Sequence, residues 1–168
     1  MRPEAPFVLP LAGTVLRGNI DLLAVGGGNG CEGSVDGNGN GVDGGGATVI
    51  DFKTDRVGSG GIEALGERYA SQRAVYALAV AGAGGEGVVR TAHVFLERPD
   101  EPVIEVFDSA ALFRARSSLE GLVAQIRAGS FEPTHEPHAA LCFGCPAAPR
   151  LCPRPAWRPS RDAPAALR

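Results

Sequence analysis

The amino-acid sequence predicts one mixed α/β domain. Short segments rich in β-branched residues alternate with two longer stretches of helical periodicity. Of the 168 residues, 44% are hydrophobic, which suffices for one buried core. The chain has no run of about 18 apolar residues and no secretory signal pattern, so we expect a cytoplasmic protein without a membrane span.

Five segments have the composition of β-strands. They are residues 7–11, 14–25, 48–54, 88–97 and 103–107. Between the second and third strands, residues 26–46 contain 11 glycines in 21 positions and cannot bury a core of their own. We therefore predict a flexible glycine-rich insert at this point.

Two helices complete the prediction. The first spans residues 62–81, where apolar residues recur at the spacing of a buried stripe. The second spans residues 109–128, with Ser109 as its N-cap and Gly129 just past its end. The order of a strand meander, a helix, a strand pair and a helix predicts a mixed sheet flanked by helices.

Two carboxylates and a lysine lie on neighbouring predicted strands. Asp51 and Lys53 are two residues apart and should project from the same face of the sheet. A hairpin whose loop begins after Val25 and ends before Ala47 makes Asp21 and Asp51 cross-strand neighbours, with Cβ atoms on the order of 5 Å apart. Such a pair of like charges favours a divalent cation between them, and the alternative is a surface hairpin whose charges face water.

The arrangement Gly18-x-Ile20-Asp21 followed by Asp51-x-Lys53 resembles the core of PD-(D/E)XK nucleases. The resemblance is strongest to the RecB-like nuclease domains of bacterial helicase-nucleases. It implies that Asp21 and Asp51 bind Mg²⁺ or Mn²⁺, that Lys53 is catalytic, and that the substrate is DNA. It also implies a restriction-endonuclease-like fold, which the predicted order of strands and helices suits.

Three polar side chains share one face of the first predicted helix. Tyr69, Gln72 and Tyr76 fall at i, i+3 and i+7. The string Gln72-x-x-x-Tyr76 is similar to an element that borders the active site of RecB-like nucleases. The resemblance implies that these three residues position the DNA strand, whereas Tyr76 taken alone would be an ordinary half-buried aromatic residue.

Three cysteines near the C-terminus, Cys142, Cys145 and Cys152, have the spacing of a metal or cluster site in a reducing compartment. They resemble the cysteine cluster that closes the iron-sulfur nuclease domain of AddB-like subunits, which implies a 4Fe-4S cluster, with zinc as the alternative. The only other cysteine is Cys31, in the glycine-rich insert. We expect His93, His135 and His138 to be ordinary residues and not metal ligands. The alternative is that His138, four residues before Cys142, joins the cysteine cluster.

The resemblance covers residues 7–152, and we assign residues 1–152 to the nuclease domain and residues 153–168 to a basic, proline-rich, disordered tail. The family has a helix before its first strand, and this chain reaches its first strand within a few residues of Met1. We therefore expect a fragment, or a product begun late relative to a longer protein. The predicted function is a magnesium-dependent deoxyribonuclease of a recombinational-repair helicase-nuclease, partnered by a helicase. The alternative is an inactive DNA-binding or scaffolding remnant.

Overall fold

The computed structural model describes residues 1–26, 46–57, 61–84 and 87–130, together with Cys142 and Cys152. The described elements, in chain order, are β1 (Arg2–Leu11), β2 (Thr14–Val25), β3 (Ala47–Lys53), α1 (Gly61–Arg68), α2 (Ala70–Gly82), β4 (Val89–Phe95), β5 (Val103–Phe107) and α3 (Ser109–Arg127). They form the mixed sheet with flanking helices that the sequence predicts. In this described part of the chain no helix combines the length and apolar character of a membrane span.

The sheet has the order β1-β2-β3-β4-β5. The first three strands form an antiparallel meander, β4 runs parallel to β3, and β5 is antiparallel to β4. A parallel pair requires a crossover, which α1 and α2 supply. The predicted register of the β2–β3 hairpin is confirmed, since the paired residues run from Val25↔Ala47 to Leu22↔Ile50.

The strand bounds agree with the prediction within about two residues, except for β1. This strand begins at Arg2 rather than Phe7. Its prolines argue against a strand in the sequence, but β1 pairs only with β2 and lies at the edge of the sheet. An edge strand tolerates proline because one of its sides needs no N–H donors.

The prediction of one continuous helix over residues 62–81 was wrong, because the helix breaks at Tyr69 (φ −104°, ψ 8°). Gly66 packs so closely on β5 that a Cβ there would lie 2.9 Å from Val103 Cγ1. The Gly66 carbonyl accepts hydrogen bonds from the Tyr69 N–H (3.0 Å) and from Arg73 Nη1 (2.6 Å). These contacts end α1 and let α2 start in a new direction.

The core lies between the sheet and helices α2 and α3. Helix α2 presents its buried face to the sheet, with Ala77 at its centre, and α3 packs on α2 and β1. Gly18 on β2 leaves room for the ring of Phe7, since a Cβ at Gly18 would lie 2.8 Å from Phe7 Cε1. That ring in turn packs edge-to-face on Tyr76, with centroids 5.7 Å apart. The core therefore supports a residue of the predicted site.

The last helix is capped one residue earlier than predicted. Asp108, not Ser109, is the N-cap, and its carboxylate accepts a hydrogen bond from the Ala111 N–H at 2.7 Å. At the other end Gly129 has a φ of +68°, so its predicted place just past the helix is confirmed. A carboxylate at the N-cap also interacts favourably with the helix dipole, which favours Asp108 over the neighbouring serine.

Candidate active site

Asp21 and Asp51 come together where β2 stops pairing with β3. The ladder ends at Leu22↔Ile50, although both strands continue. Instead of a strand carbonyl, Asp21 Oδ2 accepts the hydrogen bond of the Phe52 N–H at 2.8 Å. The predicted juxtaposition of the two carboxylate-bearing segments is thus present in the structure.

Asp21 is also left out of the ladder that joins β2 to β1. The β1–β2 pairs run from Arg2↔Leu23 to Leu11↔Thr14 but omit the pair that would join Glu4 and Asp21. Glu4 has a φ of +48°, a left-handed conformation that is strained for a residue with a side chain. Strained backbone is concentrated at functional sites, and this signal is absent from the sequence.

Asp51 is nearly inaccessible to solvent, with 3% of its surface exposed. Its Oδ1 accepts a hydrogen bond from the Tyr76 hydroxyl at 3.0 Å. Lys53 Nζ lies 2.6 Å from Oδ2 as an ion pair, but the angles are not those of a hydrogen bond, and Oδ2 has no donor among the described residues. A buried carboxylate oxygen that accepts no hydrogen bond is suited to binding a metal cation.

Lys53 and Tyr76 are linked by Gln72. Lys53 Nζ donates to Gln72 Oε1 at 2.6 Å, and Gln72 Nε2 donates to the Tyr76 hydroxyl at 2.9 Å. With the Tyr76 hydrogen bond to Asp51, the four side chains form a closed ring. Burial, followed by the nearby negative charge of Asp51, raises the pKa of Tyr76, so its hydroxyl remains a donor.

Tyr69 reaches the same region from the break between α1 and α2. Its ring centroid lies 4.3 Å from Lys53 Nζ, which is a cation–π distance. Its hydroxyl donates to Asp55 Oδ2 at 2.7 Å. Burial, followed by this hydrogen bond, raises the pKa of Tyr69. The three predicted helix residues therefore converge on one site, although Tyr69 does so through a helix break and not through helical spacing.

His93 is a site neighbour that sequence reasoning missed as a partner of Asp51. It lies directly beside Asp51 in the parallel β3–β4 register, and its Nε2 is 3.8 Å from Asp51 Oδ2. Burial lowers the pKa of His93 to about 4 despite the opposing charge of Asp51, so the imidazole is neutral at neutral pH. The alternating burial of β4 places His93 inside, but only the register identifies its neighbour.

The donor set at this site fits a hard divalent cation. Among the described residues no three His, Cys, Asp or Glu side chains are grouped for a metal ion. Mg²⁺ commonly uses one or two carboxylates and completes its octahedron with water and substrate phosphate oxygens. Asp21 and Asp51 are sufficient in that mode, and the observation that fits it is Asp51 Oδ2, which is ion-paired with Lys53 but accepts no hydrogen bond among the described residues.

The predicted cysteine site lies mainly outside the described residues. Cys142 and Cys152 are described and are partly buried, whereas Cys145 and Cys31 fall outside the described ranges. The glycine-rich insert is described only at its ends, where the Gly26 N–H donates to the Gly46 carbonyl at 2.9 Å. His135, His138 and the tail also lie outside the described ranges, so what is said of them remains a prediction.

Comparison with known proteins gives one result. The model of the PD-(D/E)XK nuclease superfamily matches residues 2–153. This range includes every element of the fold and all the site residues described above. No curated protein and no solved structure matches the chain significantly.

Proposed function

Because the chain belongs to the PD-(D/E)XK nuclease superfamily, we propose that it is a metal-dependent DNA nuclease of the RecB-like kind. Asp21 and Asp51 would hold Mg²⁺ or Mn²⁺, and Lys53 would be the catalytic lysine. The observation that supports this most directly is the buried Asp51, whose Oδ2 has no hydrogen-bond donor among the described residues. Asp21 lies beside it on β2, where it accepts a hydrogen bond from the Phe52 N–H.

The remaining side chains of the site have assigned tasks in this proposal. A divalent cation at the two aspartates supplies an acidified water and neutralises charge on the phosphate. Lys53, held by Gln72 at 2.6 Å, orients the attacking water or stabilises the charge that develops on the phosphoryl oxygens. Tyr76 fixes the Asp51 carboxylate through Oδ1. Gln72 and Tyr76 thereby position Lys53 and Asp51. The resemblance to RecB-like nucleases implies that these two residues also contact the DNA strand.

Replacement of Asp51 by Asn tests the metal site. The change keeps the shape of the side chain but removes the charge that a cation requires, so Mg²⁺-dependent DNA cleavage should fall by a factor of about 100 or more. Asp100→Asn makes the same charge change in the exposed β4–β5 turn and is the matched control. Cleavage by Asp51→Asn at the rate of the control would refute the assignment.

Replacement of Lys53 by Met separates catalysis from binding. If Lys53 acts on the transition state, the cleavage rate should fall while the Kd for DNA stays nearly constant. A parallel loss of rate and affinity would make Lys53 a phosphate contact instead. The Kd is best measured in Ca²⁺, so that binding is followed without turnover.

The helicase-nuclease context and the cysteine site form the finer part of the proposal. They are supported by the spacing of Cys142, Cys145 and Cys152 and by the resemblance to AddB-like subunits. The full-length gene product, purified without oxygen, should contain iron and sulfide, and Cys145→Ser should lose them. Stoichiometric zinc would replace the cluster by a zinc site, whereas no bound metal would remove the cysteine site from the proposal.

The second candidate function is DNA binding or scaffolding without cleavage. One observation favours it: in the described part of the chain, no third metal-ligating side chain joins Asp21 and Asp51. DNA binding with no cleavage in either Mg²⁺ or Mn²⁺ would support this candidate. Cleavage that depends on Asp51 would exclude it.

A further inference from the structure

We propose that His93 positions the metal-binding carboxylate of Asp51 by donating its Nε2–H to Asp51 Oδ2 when a divalent cation is bound. This inference rests on the proposed metal-dependent function. It assigns a task to a side chain that neither the D-x-K motif nor the glutamine-tyrosine motif includes. His93 is here a positioning residue, because it acts through Asp51 and not on the phosphate.

The first support is the placement of unused polar atoms. His93 is 1% exposed, and neither of its ring nitrogens has a hydrogen-bond partner among the described residues. Its Nε2 lies 3.8 Å from Asp51 Oδ2, which has no hydrogen-bond donor there although Lys53 Nζ is ion-paired with it at 2.6 Å. A side-chain movement of under about 1 Å would bring the two atoms to hydrogen-bond distance.

The second support is the order of the strands. Asp21 lies on β2 and His93 on β4, so they flank Asp51 from opposite sides of β3. A cation shared by Asp21 and Asp51 therefore leaves His93 on the far side of the carboxylate. Oδ1 already accepts from Tyr76, and Oδ2 faces Lys53 Nζ at 2.6 Å without hydrogen-bond geometry. A cation that takes the place of this ammonium at one lone pair of Oδ2 leaves the other lone pair for His93.

The protonation of the ring follows from what it faces. A nitrogen lone pair directed at a carboxylate oxygen would be repelled, so the proton of the neutral imidazole belongs on Nε2. Carboxylates that bind a metal ion are themselves held by hydrogen bonds from neighbouring donors, which fix their orientation toward the ion. An apolar side chain would pack against Tyr69, whose ring centroid is 5.4 Å away, without burying two unused nitrogens. The imidazole is therefore better explained by a task that needs its N–H.

Metal affinity in the full chain tests the proposal without relying on DNA cleavage. Mn²⁺ binding is measured by electron paramagnetic resonance for the wild type, His93→Leu, His93→Gln and the control Thr91→Val. Thr91 is equally buried on the same face of β4, and its hydroxyl also has no partner among the described residues. His93→Leu should weaken Mn²⁺ binding by about 10-fold or more. His93→Gln restores an N–H donor and should recover most of the affinity, and Thr91→Val should bind as the wild type does.

The possible outcomes distinguish failure of the His93 proposal from failure of the proposed metal site at Asp21 and Asp51. If the wild type binds no Mn²⁺, or if Asp51→Ala binds it equally well, the proposed metal site fails and His93 loses its task with it. If Asp51→Ala abolishes binding but His93→Leu binds like Thr91→Val, only the His93 proposal fails. If His93→Leu does not fold, His93→Gln decides, since an affinity well below that of Thr91→Val would overturn the proposal.

A measurement on the unchanged protein gives a second, independent test. Long-range ¹H–¹⁵N spectra report which ring nitrogen of His93 carries the proton. The proposal requires protonated Nε2, with a shift of that resonance when Mg²⁺ is added. Protonated Nδ1 in the Mg²⁺-bound protein would overturn it.

Discussion

Acid should destabilise this chain through one buried imidazole. Burial lowers the pKa of His93 to about 4, from an ordinary value of 6.5. The folded state therefore resists a proton that the unfolded chain accepts. The contribution of the neutral imidazole to stability is complete above pH 6.5 and is lost as the pH falls toward 4.

The size of the effect follows from the same two values. Their difference, 6.5 − 4, corresponds to about 3 kcal/mol once the pH is below both. Between pH 7 and pH 5 the expected loss is about 2 kcal/mol. The charged groups that face His93 act in both directions, since some attract its proton and others repel it. The attracting groups are Asp51 and Asp21, and the repelling groups are Lys53 and Arg73.

Urea unfolding of wild type and His93→Leu, measured in EDTA at pH 7 and pH 5, isolates this contribution. Any change that the two proteins share cancels, so only the difference between them reports His93. The wild type should lose about 2 kcal/mol more than the variant over this range. Equal losses in the two proteins, or an NMR titration of His93 with a midpoint near 6.5, would refute the reasoning.

Three substitutions test the packing around the site, each by urea unfolding at neutral pH. Gly18→Ala forces a Cβ to within 2.8 Å of the Phe7 ring and should cost about 1 kcal/mol or more, so an unchanged stability would show that the ring moves freely. Arg73→Met removes a buried donor to the Gly66 carbonyl and should cost about 2 kcal/mol, and a loss below about 0.5 kcal/mol would contradict its role at the helix break. Asp108→Ala should cost about 1 kcal/mol through the lost N-cap, whereas Asp108→Ser should retain most of the stability.

The pairing of Asp21 with Asp51 could be predicted because two independent constraints agree. The glycine-rich segment ends at equal distances from the two aspartates, and a shift of one residue would turn the apolar face of β3 to the wrong side. The placement of Asp51 and Lys53 on one face needs only the two-residue period of a strand. Both features depend on local sequence. The register that leads toward Asp21 and Asp51 is confirmed as far as Leu22↔Ile50, and Asp51 and Lys53 form an ion pair at 2.6 Å.

The break at Tyr69 could not be predicted in this way, because its cause is distant in sequence. Local propensity favours one helix, but Gly66 is pressed against Val103 on β5 and Arg73 forms an ion pair with Glu105 on that strand. These contacts exist only after the chain has crossed over to build β4 and β5. The neighbour of His93 was missed for the same reason, since its proximity to Asp51 depends on the parallel β3–β4 register.

Asp21 illustrates how the fold accommodates the charges on which the proposed function depends. Continuing the β2–β3 ladder by one pair would set two carboxylates directly opposite each other, an arrangement that destabilises a sheet. Instead both ladders around Asp21 are interrupted, and its own carboxylate satisfies the Phe52 N–H that the lost pairing would leave without an acceptor. The polar backbone is thereby kept hydrogen-bonded while the strands separate. A cation that attracts Asp21 toward Asp51 would weaken this hydrogen bond, so metal binding and the end of the ladder should be coupled through a single carboxylate.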